Sequence, residues 1–192
     1  MDVIESVRAA VLGHFAASSA DSASASVTFL GLEPIEILRI PDGEFVHYVT
    51  LGGARHPMTD PGAAVVDPER GPRAELVLTL RGGAAHTGLT RALGVLIASP
   101  AVEGVVLQPD ALLDLGEPLW HNAPFTAVLL GPGDIPDLAL PDPAEPVRFL
   151  AVSPITATEA AWVRLRGAPA LREAWTEAGI DVRDPGRGAA NL

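Results

Sequence analysis

Five histidines, His14, His47, His56, His86 and His121, are the residues best suited to chemistry in this chain. A neutral imidazole can ligate a metal or move a proton near neutral pH. Metal binding on a helix calls for regular spacing, as in His-Glu-x-x-His. No two of the five stand at such a helical spacing from one another. His14 falls on the exposed edge of a helix, and His47 alternates into a strand, where it reads as a hydrogen-bonded interior group. His56, His86 and His121 fall in loops. The segment Gly83–Thr90, GAAHTGLT, follows a strand and precedes a helix, the setting of a phosphate-binding loop. That loop needs a lysine where Leu89 stands, so the glycines read as punctuation. The carboxylate pairs Asp110 with Asp114 and Glu33 with Glu36 read as solvated surface, with no hydrophobic pocket to shift a pKa. No Gly-x-Ser-x-Gly elbow occurs, and serines concentrate at 18–26.

What is missing narrows the chemistry further. All 13 basic residues are arginine, which removes Schiff-base lysines and a phosphate-binding lysine. The absence of cysteine removes disulfides, thiolate catalysis and thiolate metal sites. The reading is of a protein that is not an enzyme and carries no cofactor and no metal. A formal net charge of −11 disfavours nucleic acid and anionic membrane as partners and favours a basic protein or peptide. The first residues, MDVIESVRAAVLGHF, carry acids where a secretory signal carries a basic segment. No apolar run approaches the ~18 residues of a membrane span. A cytoplasmic location is expected.

The elements that would position these residues centre on His47–Leu80. In RAELVLTL, Leu76, Leu78 and Leu80 alternate with Glu75, Val77 and Thr79, the period of a strand. Phe45–Leu51 alternates likewise and carries bulk on both faces, which predicts a central strand covered on each side. Gly52-Gly53 stops it. Pro41-Asp42-Gly43-Glu44 is a turn folding Ile35–Ile40 back onto Phe45–Leu51 as a hairpin. Residues 2–15 form a helix with Val3, Val7, Val11 and Phe15 on one face. Residues 16–26 read as a flexible connection and 27–30 as a short strand. Residues 55–73, with four prolines, read as a surface loop. Thr87 caps a helix running to Ser99, which Pro100 ends. Strands are expected at 105–107, 111–115, 125–130 and 147–152, the last closed by Pro154. Thr156 and Glu159 have capping-box spacing for a helix to Arg166, and a final helix begins at Pro169 and ends at Gly179. Trp162 and Trp175 are assigned to the core. Strands do not alternate with helices, so the fold class is α+β: a largely antiparallel or mixed sheet, sandwich-like, flanked by helices. One domain covers 1–192, its core about 27–180 and its tail 181–192.

Taken in order, several segments resemble the suppressor of fused domain in its small bacterial form. They are HYVTLGGARHPM (His47–Met58), RAELVLTL (Arg73–Leu80) and LTRALGVLIASP (Leu89–Pro100), followed by APFTAVLLGP (Ala123–Pro132), VRFLAVSPITATEAAW (Val147–Trp162) and EAGIDVRDPGR (Glu177–Arg187). Gly53-Ala54 departs from the pattern, which favours a less glycine-rich turn there. The resemblance implies one mixed α/β domain without catalytic activity. Eukaryotic relatives carry a second domain and clamp a transcription-factor peptide that adds a strand; this chain is too short for that second domain. Bacterial relatives are inferred to be immunity proteins that neutralise toxins, and an acidic protein suits a basic toxin. The expected function is therefore non-enzymatic protein binding of the suppressor of fused type, as an immunity protein. The alternatives are a small-molecule or metal-dependent enzyme using the scattered histidines, and a structural subunit that pairs its sheet edge with itself. Candidate contact residues are His47, Tyr48 and Arg55 by the central strand, with Trp120 and His121 in a loop between prolines. Trp120 either anchors a partner or plugs the end of the sheet.

Overall fold

A computed structural model describes residues 2–192, which form one seven-stranded mixed sheet with helices on both faces. The strands are β1 (Ala23–Val27), β2 (Ile35–Asp42), β3 (Phe45–Leu51), β4 (Arg73–Arg81), β5 (Leu112–Asp114), β6 (Ala127–Pro132) and β7 (Val147–Ile155). Their order is β1-β2-β3-β4-β7-β6-β5, and every neighbouring pair is antiparallel except β4 with β7. Of the two forms open from the sequence, sheet or sandwich, the chain makes a sheet.

Four helices cover it: α1 (Val3–His14), α2 (Leu89–Glu103), α3 (Ala157–Arg166) and α4 (Ala168–Ala178). One face buries Val46, Tyr48, Leu76, Leu78, Leu80, Val128 and Leu130 beneath Leu89, Leu93, Leu96 and Ile97 of α2. On the opposite face Ile4, Val7 and Val11 of α1 cover Leu38, Ile40, Val49 and Leu51. Alongside, α3 and α4 cover Ala127, Leu129 and Ile155 with Ala160, Val163, Leu171 and Trp175. The expected double burial of β3 follows from this three-layer stack, since Val46 to Leu51 are all buried. Each such aliphatic side chain contributes roughly 1.5–3 kcal/mol.

The hairpin forms as predicted, with Asp42 opposite Phe45 and Gly43 at φ +59°. The capping box also forms: Thr156 Oγ1 accepts from the Glu159 amide and Glu159 Oε2 accepts from the Thr156 amide. Several local expectations are corrected. Residues 23–26, expected as flexible connection, form the edge strand β1 together with Val27, the one residue of the strand expected at 27–30 that is extended in the sheet; its Ala and Ser side chains are mostly exposed, so no apolar alternation marks it. The strand expected at 105–107 does not form. Gly88, at φ +93°, rather than Thr87, stands at the start of α2. Pro100 lies inside α2, which continues to Glu103. A proline there removes the amide that would bond the Leu96 carbonyl, but Ser99 Oγ donates to that carbonyl at 2.7 Å and replaces the bond. Pro154 lies within β7, beyond the Val147–Ala151 stretch paired with β4, where one edge is free.

The tail is docked. Arg187 enters the interior and donates to both Glu159 oxygens (2.8 and 3.0 Å), to the Pro154 carbonyl (2.7 Å) and to the Gly188 carbonyl (2.9 Å). Its guanidinium lies 4.9 Å from the Phe125 ring centre and 5.5 Å from that of Trp175. Trp175 is buried as expected, while Trp162 is half-buried, with the Arg166 guanidinium over its ring.

Candidate binding cleft

Where β3 ends, the chain turns through a single 3-10 turn, Gly53–Arg55, and runs on to Thr59. This turn, the approach to β2 and the last turns of α2 enclose a cleft of about 410 Å³. Its walls are apolar, from Leu32, Ile35, Met58, Ile97 and Pro100, and its polar side chains are Glu33, Arg55, His56 and Thr59. An apolar hollow with a few convergent polar groups is the usual form of a binding site. Glu33 accepts from His56 Nε2 at 3.0 Å and lies 3.6 Å from Arg55 Nη1.

Two side chains of β4 hold the turn in place. Glu75 is fully buried and accepts from the Thr50 hydroxyl (2.6 Å), the Gly52 amide (2.8 Å) and the Ala54 amide (2.9 Å). Burial pushes its carboxyl up to about 7, against the pull of those donors. Arg73 donates to the carbonyls of Ala54 and Arg55, both at 2.8 Å, and to that of Glu69. The strands part here because the Thr50 hydroxyl, not a backbone carbonyl, accepts from the Leu76 amide at 2.8 Å. Gly53 is required by the close approach of α2. A β-carbon there would lie 2.5 Å from Ile97 Cγ1 and 2.7 Å from the Ala74 carbonyl oxygen. This glycine is therefore what lets the helix close the cleft.

The five candidate contact residues do not share one surface. Arg55 is half-buried at the cleft mouth. His47 and Tyr48 are buried on opposite faces of the sheet. The His47 ring stacks on Phe15 at 4.1 Å, Nδ1 lies 2.8 Å from Thr79 Oγ1, and Nε2 lies 3.3 Å from Asp42. Burial pushes the His47 imidazole down, with Asp42 opposing. His47 is thus the hydrogen-bonded interior group the strand pattern predicts. Trp120 is 7% exposed, packed against His86 and Phe125 in the core under α2. His121 is exposed, its amide donating to the Thr87 carbonyl just before α2. That end of α2 is roughly 12–18 Å along the helix from the cleft residues Ile97 to Ala101, given 1.5 Å of rise per residue.

The histidines are dispersed. His14, His47 and Asp134 border a hollow of only about 80 Å³, and His56 reaches Glu33 alone. Among the described residues no group of three or more His, Asp or Glu is placed to hold a metal ion. The paired carboxylates are engaged by arginines: Asp110 by Arg172, Asp114 by Arg164, Glu36 by Arg8 and Glu33 by Arg55. Among the described residues no helix is long and apolar enough to cross a membrane. Sequence reasoning missed the two buried carboxylates. Glu75 had one available signal, its place opposite the leucines in a strand flanked by another covered on both faces. Glu159 was visible only as a capping residue, with nothing local to link it to Arg187.

A single α+β domain with a seven-stranded sheet, helices on both faces and an apolar cleft beside the central strands defines the class of this protein. The family model of the Suppressor of fused protein matches residues 31–188, and the chain belongs to that family. None of the curated proteins matches it. Among solved structures, a suppressor of fused homologue from Neisseria gonorrhoeae is similar over 100% of this chain and 98% of its own, at 19% identity and TM-score 0.73. The structure of a Sufu–Fu complex matches 97% of this chain and 91% of that one, at 12% identity and TM-score 0.67. Drosophila Suppressor of Fused matches 98% of this chain but only 50% of its own, at 13% identity and TM-score 0.64.

Proposed function

We propose that this protein is a non-enzymatic, cytoplasmic protein-binding domain that acts as an immunity protein, occluding a basic toxin encoded beside it. The observation that carries the reading is the cleft at 52–59: apolar walls, an arginine and a carboxylate at its mouth, and a turn fixed from below by buried charges. Membership of the suppressor of fused family supports a protein partner, since a relative is found in a Sufu–Fu complex. The net charge of −11 supports a basic one, through faster association and selection against acidic competitors. The commitment of the buried acids and of His47 to structural hydrogen bonds supports binding over turnover. Arg55 is the contact residue at the cleft and His121 a second contact at the far end of α2, while His47, Tyr48 and Trp120 act from behind as the frame.

The test is co-purification with the product of the adjoining gene, followed by an assay of that product alone and in complex. Inhibition that Arg55→Ala weakens at least tenfold, with the variant melting within about 2 °C of the parent, is the expected result. Full activity of the neighbour in the presence of the protein would sink the immunity role.

A further inference from the structure

Among the described residues Glu75 is the one fully buried carboxylate with no cation beside it. No ion pair reaches it among the described residues. Arg73, two residues back on the same strand, spends its guanidinium on the carbonyls of Ala54, Arg55 and Glu69. Arg55 and His56, on the turn itself, point to Glu33. On α1 the titratable groups are Glu5, Arg8 and His14; Arg8 is held by Glu36, and His14 borders the hollow beside His47. On β7, which lies beside β4, Arg148 is exposed. On β3 and its hairpin, His47 and Asp42 bond each other and Thr79.

The groups that do face Glu75 are all donors. Oε1 takes two backbone amides, from Gly52 and Ala54, and Oε2 takes the Thr50 hydroxyl. The Thr50 oxygen already accepts from the Leu76 amide, so its own proton is directed to Glu75. An ionised carboxylate satisfies all three donors. A carboxylic acid brings a proton of its own, and the Thr50 oxygen, 2.6 Å from Oε2, is positioned to receive it. Accepting it forces the hydroxyl to turn away and leaves Oε1 a neutral oxygen. Bonds from neutral donors to a neutral oxygen are about half as strong as bonds to a carboxylate. The amides of Gly52 and Ala54, which shape the cleft wall, would then be held more loosely.

We infer that the cleft is proton-linked: ionised Glu75 clamps the 52–55 turn in its binding shape, and protonation of Glu75 slackens it. Burial without a counter-ion brings the two forms within reach of each other near neutral pH, because desolvation opposes the charge while the donors favour it. The inference adds regulation to the proposed cleft and rests on that reading only for its effect on a partner. Its structural content is measured on the free protein.

Carbon-13 carboxyl resonances and amide exchange, followed from pH 8 to pH 5.5, decide it. The expected result is a Glu75 resonance titrating near 7, with protection at Gly52 and Ala54, corrected for intrinsic exchange, falling at least tenfold over the same interval. Amides of Val49 and Leu78 should stay unchanged. In Glu75→Gln the same two amides should be weakly protected at every pH. Thr50→Val, which removes a donor to the carboxylate, should move the titration upward. A Glu75 resonance that titrates with the surface carboxylates overturns the inference. So does a titration near 7 that leaves both amides equally protected. If either variant fails to fold, the parent titration alone gives the answer. A partner indifferent to Arg55→Ala would count against the cleft as the docking surface and leave the proton linkage standing.

Discussion

Replacing Arg187 with alanine removes the cation from a pocket that holds a buried anion. The two side chains are 5% and 0% exposed, and the arginine makes four hydrogen bonds there while lying against two aromatic rings. After truncation, Glu159 keeps the Trp175 indole, the Thr156 amide and the Ala190 amide as donors but has no counter-charge. Breaking one side of a buried pair costs about 3–5 kcal/mol. For a domain of this length each kcal/mol is about 2–4 °C of melting temperature, so the fall should be on the order of 10 °C. Arg91 and Glu117 provide the control, a pair with side chains 70% and 61% exposed, whose arginine should cost under about 0.5 kcal/mol when truncated. Urea and thermal unfolding of both variants measure the difference. The pH dependence adds a sign. Burial works to raise the Glu159 carboxyl, but Arg187, the Thr156 amide and Trp175 hold it below the usual range. A depressed carboxylate contributes stability above its unfolded pKa, about 4.3, that is lost as pH falls through the folded value. Without Arg187, burial dominates and the carboxyl rises, so the variant's deficit should shrink from pH 7 towards pH 5. A deficit in Arg187→Ala no larger than that in Arg91→Ala would refute the reasoning.

Gly53→Ala should destabilise the protein by roughly 1–3 kcal/mol in chemical denaturation, because the new methyl meets Ile97 and the Ala74 carbonyl. The same variant should lose partner binding beyond what its stability loss explains, since Ile97 lines the cleft. Ser99→Ala strips the bond that stands in for the Pro100 amide and should cost about 1–2 kcal/mol, with amide exchange faster in the last turn of α2 than elsewhere. Trp120→Ala should cost about 3–5 kcal/mol in unfolding free energy, as for other large aromatics removed from a core. Weakened partner binding without that loss would return Trp120 to the role of an interface anchor.

The parts of the fold legible from sequence were those fixed by neighbours in the chain. β3 and β4 showed their alternation, Pro41–Glu44 its turn chemistry, and Thr156 with Glu159 a cap made across three residues. β1 was invisible because an edge strand of Ala and Ser has nothing to alternate; its only partner is β2. Pro100 misled because the remedy lies in a neighbouring side chain, Ser99, whose hydroxyl substitutes for a backbone group. The candidate site was legible in one residue of its mouth, Arg55, and in the glycines that end β3. Its mechanical core was not, since Glu75 and Arg73 act on a turn about twenty residues earlier, across a proline-rich loop. Trp120 stood in a loop, and only the packing of the Leu119–Phe125 turn under α2 determined which way its ring pointed.

The single parallel pairing, β4 with β7, has a kinetic consequence. Strands β1 to β4 form a meander from near neighbours, and β5 to β7 form another, but the two meet only when residues 73–77 find 147–151. Until then β4 presents an open, leucine-rich border, and closing that contact carries the loop entropy of the intervening chain. Joining the two halves should therefore be the slow event in folding. During synthesis the first half would wait with that border unsatisfied, the interval in which the chain is most exposed to pairing with a stranger.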